Sequence, residues 1–392
     1  VPAHPDPKGA ATGMLRRRPF VGASLALLAG AATGPVRAVV RQRPRIVLLS
    51  PNSPGNTYWP QVFRIIERVA QTLDFEFVPH SLGVEDRFAR QQDTLRILSA
   101  EPRPQAVIVS PVIGHSAKLL QAADTLRIPV FILGPLFPSE LPALGQGPRR
   151  KHASWAALFN WAEEEKGHAL GKALLDEATR HGAFADDGTL HVVGVGGNPG
   201  WFGSGLRQAG LMRAVAAHPK AVFKQVVPTL WRQEEGQRLT AKLLARYPQA
   251  SVVWAASDQL GAGAAQALAA HGRTLGKTAF TGGLDLSALG LQLVKEGRFV
   301  ATAASTLLSY AEVAVRVYDY LHGFDFAERL GSTLEFPTLV ATRDNVDAHL
   351  RLSGCVQSID FRNFSRVYRP VLGRYDFTLD AYREAARPCA GG

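Results

Sequence analysis

From Arg45 onward the chain alternates short apolar runs with longer stretches whose apolar residues recur at helical spacing, and nothing else in it restricts the fold so strongly. Residues 45–50 (RIVLLS) read as a strand closed by Pro51. Residues 60–73 place Val62, Ile65, Ile66, Val69 and Leu73 on one side, the pattern of a helix with a single buried face. Strands are predicted next at 75–79, 106–110 and 129–133, with helices at 87–98 and 116–126 between them. Strands separated by helices cannot be joined through tight turns, so they run parallel with crossover connections. The predicted class is α/β, with doubly wound, Rossmann-like sheets.

The pattern fails over residues 135–154, where Pro, Gly, Arg and Lys dominate; this reads as a linker or a crossing between lobes. Alternation then restarts: helix 163–179, strand 190–194, helix 205–217, strand 222–227, helix 233–246, strand 251–255, helix 261–271, strand 279–282 and helix 286–296. A chain of 392 residues exceeds the size at which one core stops growing, so two such lobes are expected. The cleft between them is a place where polar ligands bind. After an apolar piece at 299–305 come a helix at 310–321 and an extended piece at 338–342. The tail from residue 353, rich in Arg, Phe and Tyr, is expected to pack on one lobe.

Composition removes several classes. Hydrophobic residues at 46% and charged residues at 20% describe an ordinary globular protein. The net charge of +11 suggests a polyanion partner only if the basic residues cluster, and they are dispersed, so no nucleic acid is expected. The densest run, Arg16 to Arg18, precedes an apolar stretch at 21–32 and the sequence Pro35-Val36-Arg37-Ala38. That order reads as a secretory signal peptide cleaved after Ala38, its apolar stretch too short to span a bilayer, which places the mature protein in the periplasm. In an oxidising compartment Cys355 and Cys389 can pair and staple the tail; two free thiols are the alternative. Neither a zinc set nor a cofactor site is expected.

Catalytic templates are scarce: the chain carries no G-x-S-x-G, H-E-x-x-H or G-K-[ST] sequence. The Gly-rich segment 194–205 stands where a dinucleotide fingerprint would, but its third glycine position is Pro199, which cannot approach a pyrophosphate through its nitrogen. More informative are the residues beyond the predicted strand ends, where ligands of open parallel sheets lie. Asn56, Tyr58 and Trp59 follow the first strand, and adjacent aromatics suit stacking on a sugar-like ring. Ser110, Arg207, Trp231, Ser257, Asp258 and Asp285 follow later ones. Arg donates as a fork and Asp accepts twice, so together they can satisfy a ring of hydroxyls. Taken singly, each acid also suits a helix cap and Arg207 a surface ion pair.

The succession of Asn56-x-Tyr58-Trp59, residues 204–210 (SGLRQAG), residues 256–264 (ASDQLGAGA) and Gly283-Leu284-Asp285 resembles the type I periplasmic binding proteins of the ribose and galactose class, and also the autoinducer-2 receptor, over about Arg45 to Leu350. The resemblance implies two Rossmann-like lobes joined by a three-segment hinge that closes on a small polar ligand, with Tyr58 and Trp59 as stacking aromatics, Asn56 as the nearby amide, Arg207 as the ligand-binding arginine, Trp231 as the second-lobe aromatic and Asp285 as the hydroxyl acceptor. It divides the chain into upstream residues and signal peptide (1–38), an N-terminal lobe (44–154 with 306–337), a C-terminal lobe (155–305 with 338–352) and the tail (353–392). It further implies a monomer that presents a sugar-like or signalling molecule to a membrane permease or sensor receptor. The sequence departs from the sugar-binding pattern at Ser110, at Gly134-Pro135, at Ser257 and at Ser305, which puts a plain pentose or hexose in doubt. Asn160, with Trp161, Glu164 and Glu165, is the candidate compensation, those glutamates reading equally as a solvated helix start. The rival readings are an exported α/β hydrolase or dehydrogenase and a ligand-sensing repressor-like core.

Overall fold

The computed structural model describes residues 43–52, 54–82 and 87–390, so the signal-peptide reading of residues 1–38 lies outside the described residues. The first lobe opens with β1 (Arg45–Ser50), α1 (Trp59–Leu73), β2 (Glu76–Ser81), α2 (Arg87–Ser99), β3 (Ala106–Val109), α3 (Ser116–Leu126), β4 (Val130–Leu133), α4 (Leu141–Leu144) and β5 (Trp155–Trp161). The second holds α5 (Glu163–Arg180), β6 (Leu190–Val195), α6 (Phe202–Ala217), β7 (Ala221–Val227), α7 (Gln233–Arg246), β8 (Ala250–Ala255), α8 (Asp258–Ala270), β9 (Phe280–Thr281), α9 (Ala288–Lys295) and β10 (Thr302–Ala304). The chain returns to the first lobe for α10 (Ser309–Leu321), α11 (Ala327–Leu330) and β11 (Thr333–Phe336). It crosses once more for β12 (Leu339–Ala341) and α12 (Val346–Gly354), and its tail carries α13 (Leu379–Ala385) and α14 (Arg387–Ala390).

The first sheet is parallel throughout, in the order β11-β5-β4-β3-β1-β2. The second runs β7-β6-β8-β9, also parallel; a bridge between Gly283 and Thr302 extends it to β10, which pairs antiparallel with β12. Central strands covered by helices on both faces are apolar along nearly their whole length, as β3 is throughout and β8 is except for Ser251, with every residue buried and the Ser251 hydroxyl donating to the Ala183 carbonyl. Strand order reverses at β1/β3 and at β6/β8, so a crevice opens beyond the C-terminal ends of each pair.

Two expectations are corrected. Residues 135–154 do not cross between lobes; they leave β4 and return to β5 within the first sheet. β5 pairs with β4 on one side and β11 on the other, which moves the first crossing from before Trp155 to after Trp161. Its sequence, WAALFNW, lacks the β-branched residues that mark the other strands, and β11 is only four residues long. The tail packs on the first lobe through Ile359, Phe361, Phe364 and Tyr382, and Cys355 is bonded to Cys389 with their Cα atoms 5.7 Å apart.

One helix pair sets the second lobe's geometry near the cleft. α5 and α6 approach until their backbones touch: a Cβ on Gly210 would lie 1.9 Å from the Glu164 carbonyl oxygen, and one on Gly167 1.9 Å from that of Arg207. Elsewhere in a helix, Gly→Ala gains roughly 1 kcal/mol. Gly210→Ala is therefore expected to reverse that sign and cost about 1–3 kcal/mol through overpacking. Chemical denaturation of the variant checks this, and a gain in stability would show that the helices do not meet here.

Candidate ligand-binding cleft

The first lobe supplies an aromatic wall. Asn56 Oδ1 accepts the backbone N–H groups of Tyr58 (2.9 Å) and Trp59 (3.1 Å), so the loop after β1 is pinned as it enters α1. The hydroxyls of Tyr58 and Tyr310 lie 3.0 Å apart, and burial pushes both phenols above their ordinary range. The Tyr310 ring lies 5.2 Å from that of Trp161 and 6.1 Å from that of Trp59. Trp161 ends β5 and Tyr310 begins α10, so both stand beside chain crossings.

The second lobe supplies charge. Arg207 Nε donates to Glu163 Oε2 (2.6 Å), its Nη1 donates to the Ala256 carbonyl (2.6 Å), and Asp285 Oδ1 stands 3.8 Å from Nη1. Its guanidinium lies over the rings of Trp201 and Trp231, at 5.0 and 5.7 Å from their centroids. The Trp231 ring occupies space that only a glycine leaves open, since a Cβ on Gly197 would fall 1.9 Å from it. Lys166 Nζ donates to Glu163 Oε1 (2.8 Å), so one carboxylate serves two buried cations. Although burial raises the Glu163 carboxyl, Arg207 and Lys166 hold it below its ordinary value. Burial pushes Lys166 down to about 8. Burial, with the Asp258 charge, pushes Asp285 up to about 8.

Between these walls lies a cavity of about 540 Å³ lined by both lobes. The lobes also touch directly. Gln259 Nε2 donates to the Gly55 carbonyl (2.9 Å) while its Oε1 accepts the Thr57 N–H (3.1 Å). The Ile113 N–H donates to the Gly200 carbonyl (3.2 Å), and the rings of Phe137 and Phe202 meet at 5.1 Å. The lobes are thus closed on one another. Among the described residues no group of three or more His, Cys, Asp or Glu side chains is placed to hold a metal ion.

Of the residues singled out from the sequence, Asn56, Tyr58, Trp59, Ser110, Arg207, Trp231, Ser257 and Asp285 line this cavity. Asn56 contributes less than expected, its carbonyl oxygen being occupied by the helix start, and Ser257 also caps α8 by accepting the Leu260 N–H. Three others do not line it. Asp258 accepts from Thr302 Oγ1 (2.7 Å), Ser287 Oγ (2.7 Å) and Ser287 N (3.0 Å), tying α8 to the β9–α9 loop and to β10. Asn160 reaches Glu335 (3.4 Å) because neighbours on a strand face opposite sides; its neighbour Trp161 lines the cleft. Ser305 donates to the Phe336 carbonyl (3.3 Å), joining two crossings. Glu164 and Glu165 pair with Arg213 at the surface, as a solvated helix start does.

Sequence reasoning passed over Glu163, Lys166, Trp201, Gln259 and Tyr310, which also line the cavity. Trp201 follows β6 and Gln259 follows β8, so the strand-end argument reaches both. Glu163 and Tyr310 follow crossings, which the pattern of apolar residues does not locate.

The raised Asp285 carboxyl has a consequence for stability. The unfolded chain releases this proton near pH ~4, whereas the folded protein retains it to about pH 8. The folded state therefore binds more protons across that window, and stability falls as pH rises through it. Asp285→Asn should flatten the decline in melting temperature between about pH 5 and 8, and an unchanged profile would place the titration elsewhere.

Comparison with known proteins places the fold. Residues 46–323 match the family model of the periplasmic binding protein domain. No curated protein matches the sequence. Among solved structures, the chain is similar to a periplasmic sugar-binding protein from Pseudomonas fluorescens (24% identity, TM-score 0.74, covering 86% of this chain and 99% of that one). It is also similar to an ABC transporter periplasmic solute-binding protein from Actinobacillus succinogenes with bound D-allose (20% identity, TM-score 0.65, 78% and 99%). A third likeness is to an ABC transporter solute-binding protein from Bacillus halodurans with bound myo-inositol (18% identity, TM-score 0.63, 79% and 98%). At these identities the likenesses show the shared fold.

Proposed function

The chain belongs to the periplasmic binding protein domain family, and on that premise we propose that its cleft captures a small polyhydroxylated molecule by hinge closure. The observation that carries this reading is Arg207, packed against two tryptophans beside Asp285 and facing the aromatic wall of the other lobe. A guanidinium donates to ligand hydroxyls and the neighbouring Asp285 carboxyl, 3.8 Å away, keeps a free oxygen to accept from them, while indole and phenol rings cover the C–H faces between them. The cavity volume lies within the range of small-molecule sites. D-allose and myo-inositol, bound in two of the similar proteins, are polyhydroxylated molecules of this kind.

Ligand bridging both lobes shifts the open–closed equilibrium by its differential affinity for the closed form. The closed protein then docks on a membrane permease or a sensor receptor. The signal peptide within residues 1–38 directs export and is cleaved after Ala38, so the mature chain begins at Val39 in the periplasm, where N-terminal sequencing would find it.

A thermal-shift panel of D-ribose, D-galactose, D-allose and myo-inositol tests the cleft. At a hundredfold excess over Kd, binding stabilises by about 2.7 kcal/mol. At least one member is expected to raise the melting temperature of the wild type, and Trp59→Ala and Arg207→Ala should lose that increment. Arg207→Ala should also melt lower by itself, because Glu163 loses a buried partner. Failure of every member to stabilise the wild type would overturn the polyol reading.

Closure has its own check. The two Gln259 bonds exist only while the lobes meet, and a net contribution of about 1 kcal/mol each favours the closed form without ligand. Gln259→Ala should show a larger radius of gyration than the wild type in small-angle X-ray scattering of ligand-free protein. Identical scattering would mean that this amide does not latch the lobes.

A further inference from the structure

We infer that the C-terminal tail is a brace that holds α10, and with it Tyr310, in register with the cleft; Tyr382 is the positioning residue and the Cys355–Cys389 bond its lock. The tail lies beyond residue 323, where the family match stops, and the cleft reading makes no use of it. It grips α10 at three levels. At the start of the helix, the buried Tyr382 hydroxyl donates to the carbonyl of Leu308, the residue that delivers the chain from the second crossing into α10. In the middle, Arg316 pairs with Glu312 at 2.6 Å while its guanidinium lies over the tail rings of Tyr375 (4.4 Å) and Phe377 (5.2 Å). Near the end, the fully buried Asp319 accepts from Ser365 Oγ (2.5 Å), Arg366 N (2.7 Å) and Tyr375 OH (2.8 Å).

All three donors to Asp319 belong to the tail, and a carboxylate buried this deeply needs each of them. The tail's own rings are joined in turn, Phe364 lying 5.6 Å from Phe377 and 5.1 Å from Tyr382. At its far end, Cys389 is bonded to Cys355, which directly follows α12, a helix whose Val346 belongs to the second lobe's core. Detaching the tail is thereby restricted at both ends. What it holds in place is the first turn of α10, where Tyr310 meets Tyr58, Trp59 and Trp161.

The inference rests on the cleft reading only in treating Tyr310 as ligand-facing, and its test needs no ligand. Hydrogen–deuterium exchange is compared on the full chain for wild type, Tyr382→Phe and Cys389→Ser. Tyr382→Phe keeps the buried ring and removes one hydroxyl. It is expected to speed amide exchange over residues 307–313 by about tenfold, roughly the worth of one hydrogen bond, while exchange in β1 and β8 stays unchanged. Cys389→Ser should speed exchange over 379–389 and over the same turn of α10. A tail that only covers the core would lower the melting temperature and leave exchange at 307–313 as it is in the wild type; that result overturns the brace, whether or not the polyol panel succeeds.

Discussion

A single buried carboxylate, Glu163, organises the polar half of the cleft. It begins α5 just past the first crossing and is shared between Arg207 and Lys166, both also buried. Two cations taken out of water are tolerated only with a partner this close, so the position of Arg207 follows from that of the crossing. The backbone contact of α5 with α6 brings the two together, and the rings of Trp201 and Trp231 then close over the guanidinium. Asp285 completes the set without pairing fully: at 3.8 Å from Arg207 it keeps acceptor capacity, and burial holds its proton more tightly than water would.

The other half is built differently. Its wall is aromatic, and its hydrogen bonds serve mainly to fix the rings: Asn56 pins the loop, and Tyr58 and Tyr310 share their hydroxyls. A charged pole on one lobe facing a stacking wall on the other suits a ligand with hydroxyls on its edges and C–H groups on its faces. Direct contacts such as that of Gln259 with Gly55 and Thr57 mean that closure draws on protein–protein bonds as well as on ligand. Opposite the cavity, the tail holds the helix that carries Tyr310, so both faces of that helix are committed.

Much of this is legible in the sequence. Near-continuous apolar runs such as AVIV at β3 and VVWA in β8 are what a parallel sheet covered on both sides demands, and the amphipathic stretches between them leave no other connection. Strand ends then identify the loops that can reach a ligand, and eight of the residues chosen there line the cavity. Legibility failed where the backbone departs from the repeating unit. β5 is aromatic rather than β-branched, and the crossings have no periodicity at all, so Glu163 and Tyr310 carry no local signal and nothing local tells Trp161 from its neighbour Asn160.

The sequence by itself determined a two-lobed parallel α/β chain with its polar and aromatic loops at the strand ends, because hydrophobic period and turn chemistry are local properties. Tertiary structure decided which of two neighbours faces the cleft. Asn160 and Trp161 differ only by the phase of a strand, which depends on what that strand pairs with. Asp258 and Asp285 both follow strands, but the hydroxyls of Ser287 and Thr302 converge on the first and leave the second at the cavity. Those donors lie 29 and 44 residues away along the chain, and only folding brings them there.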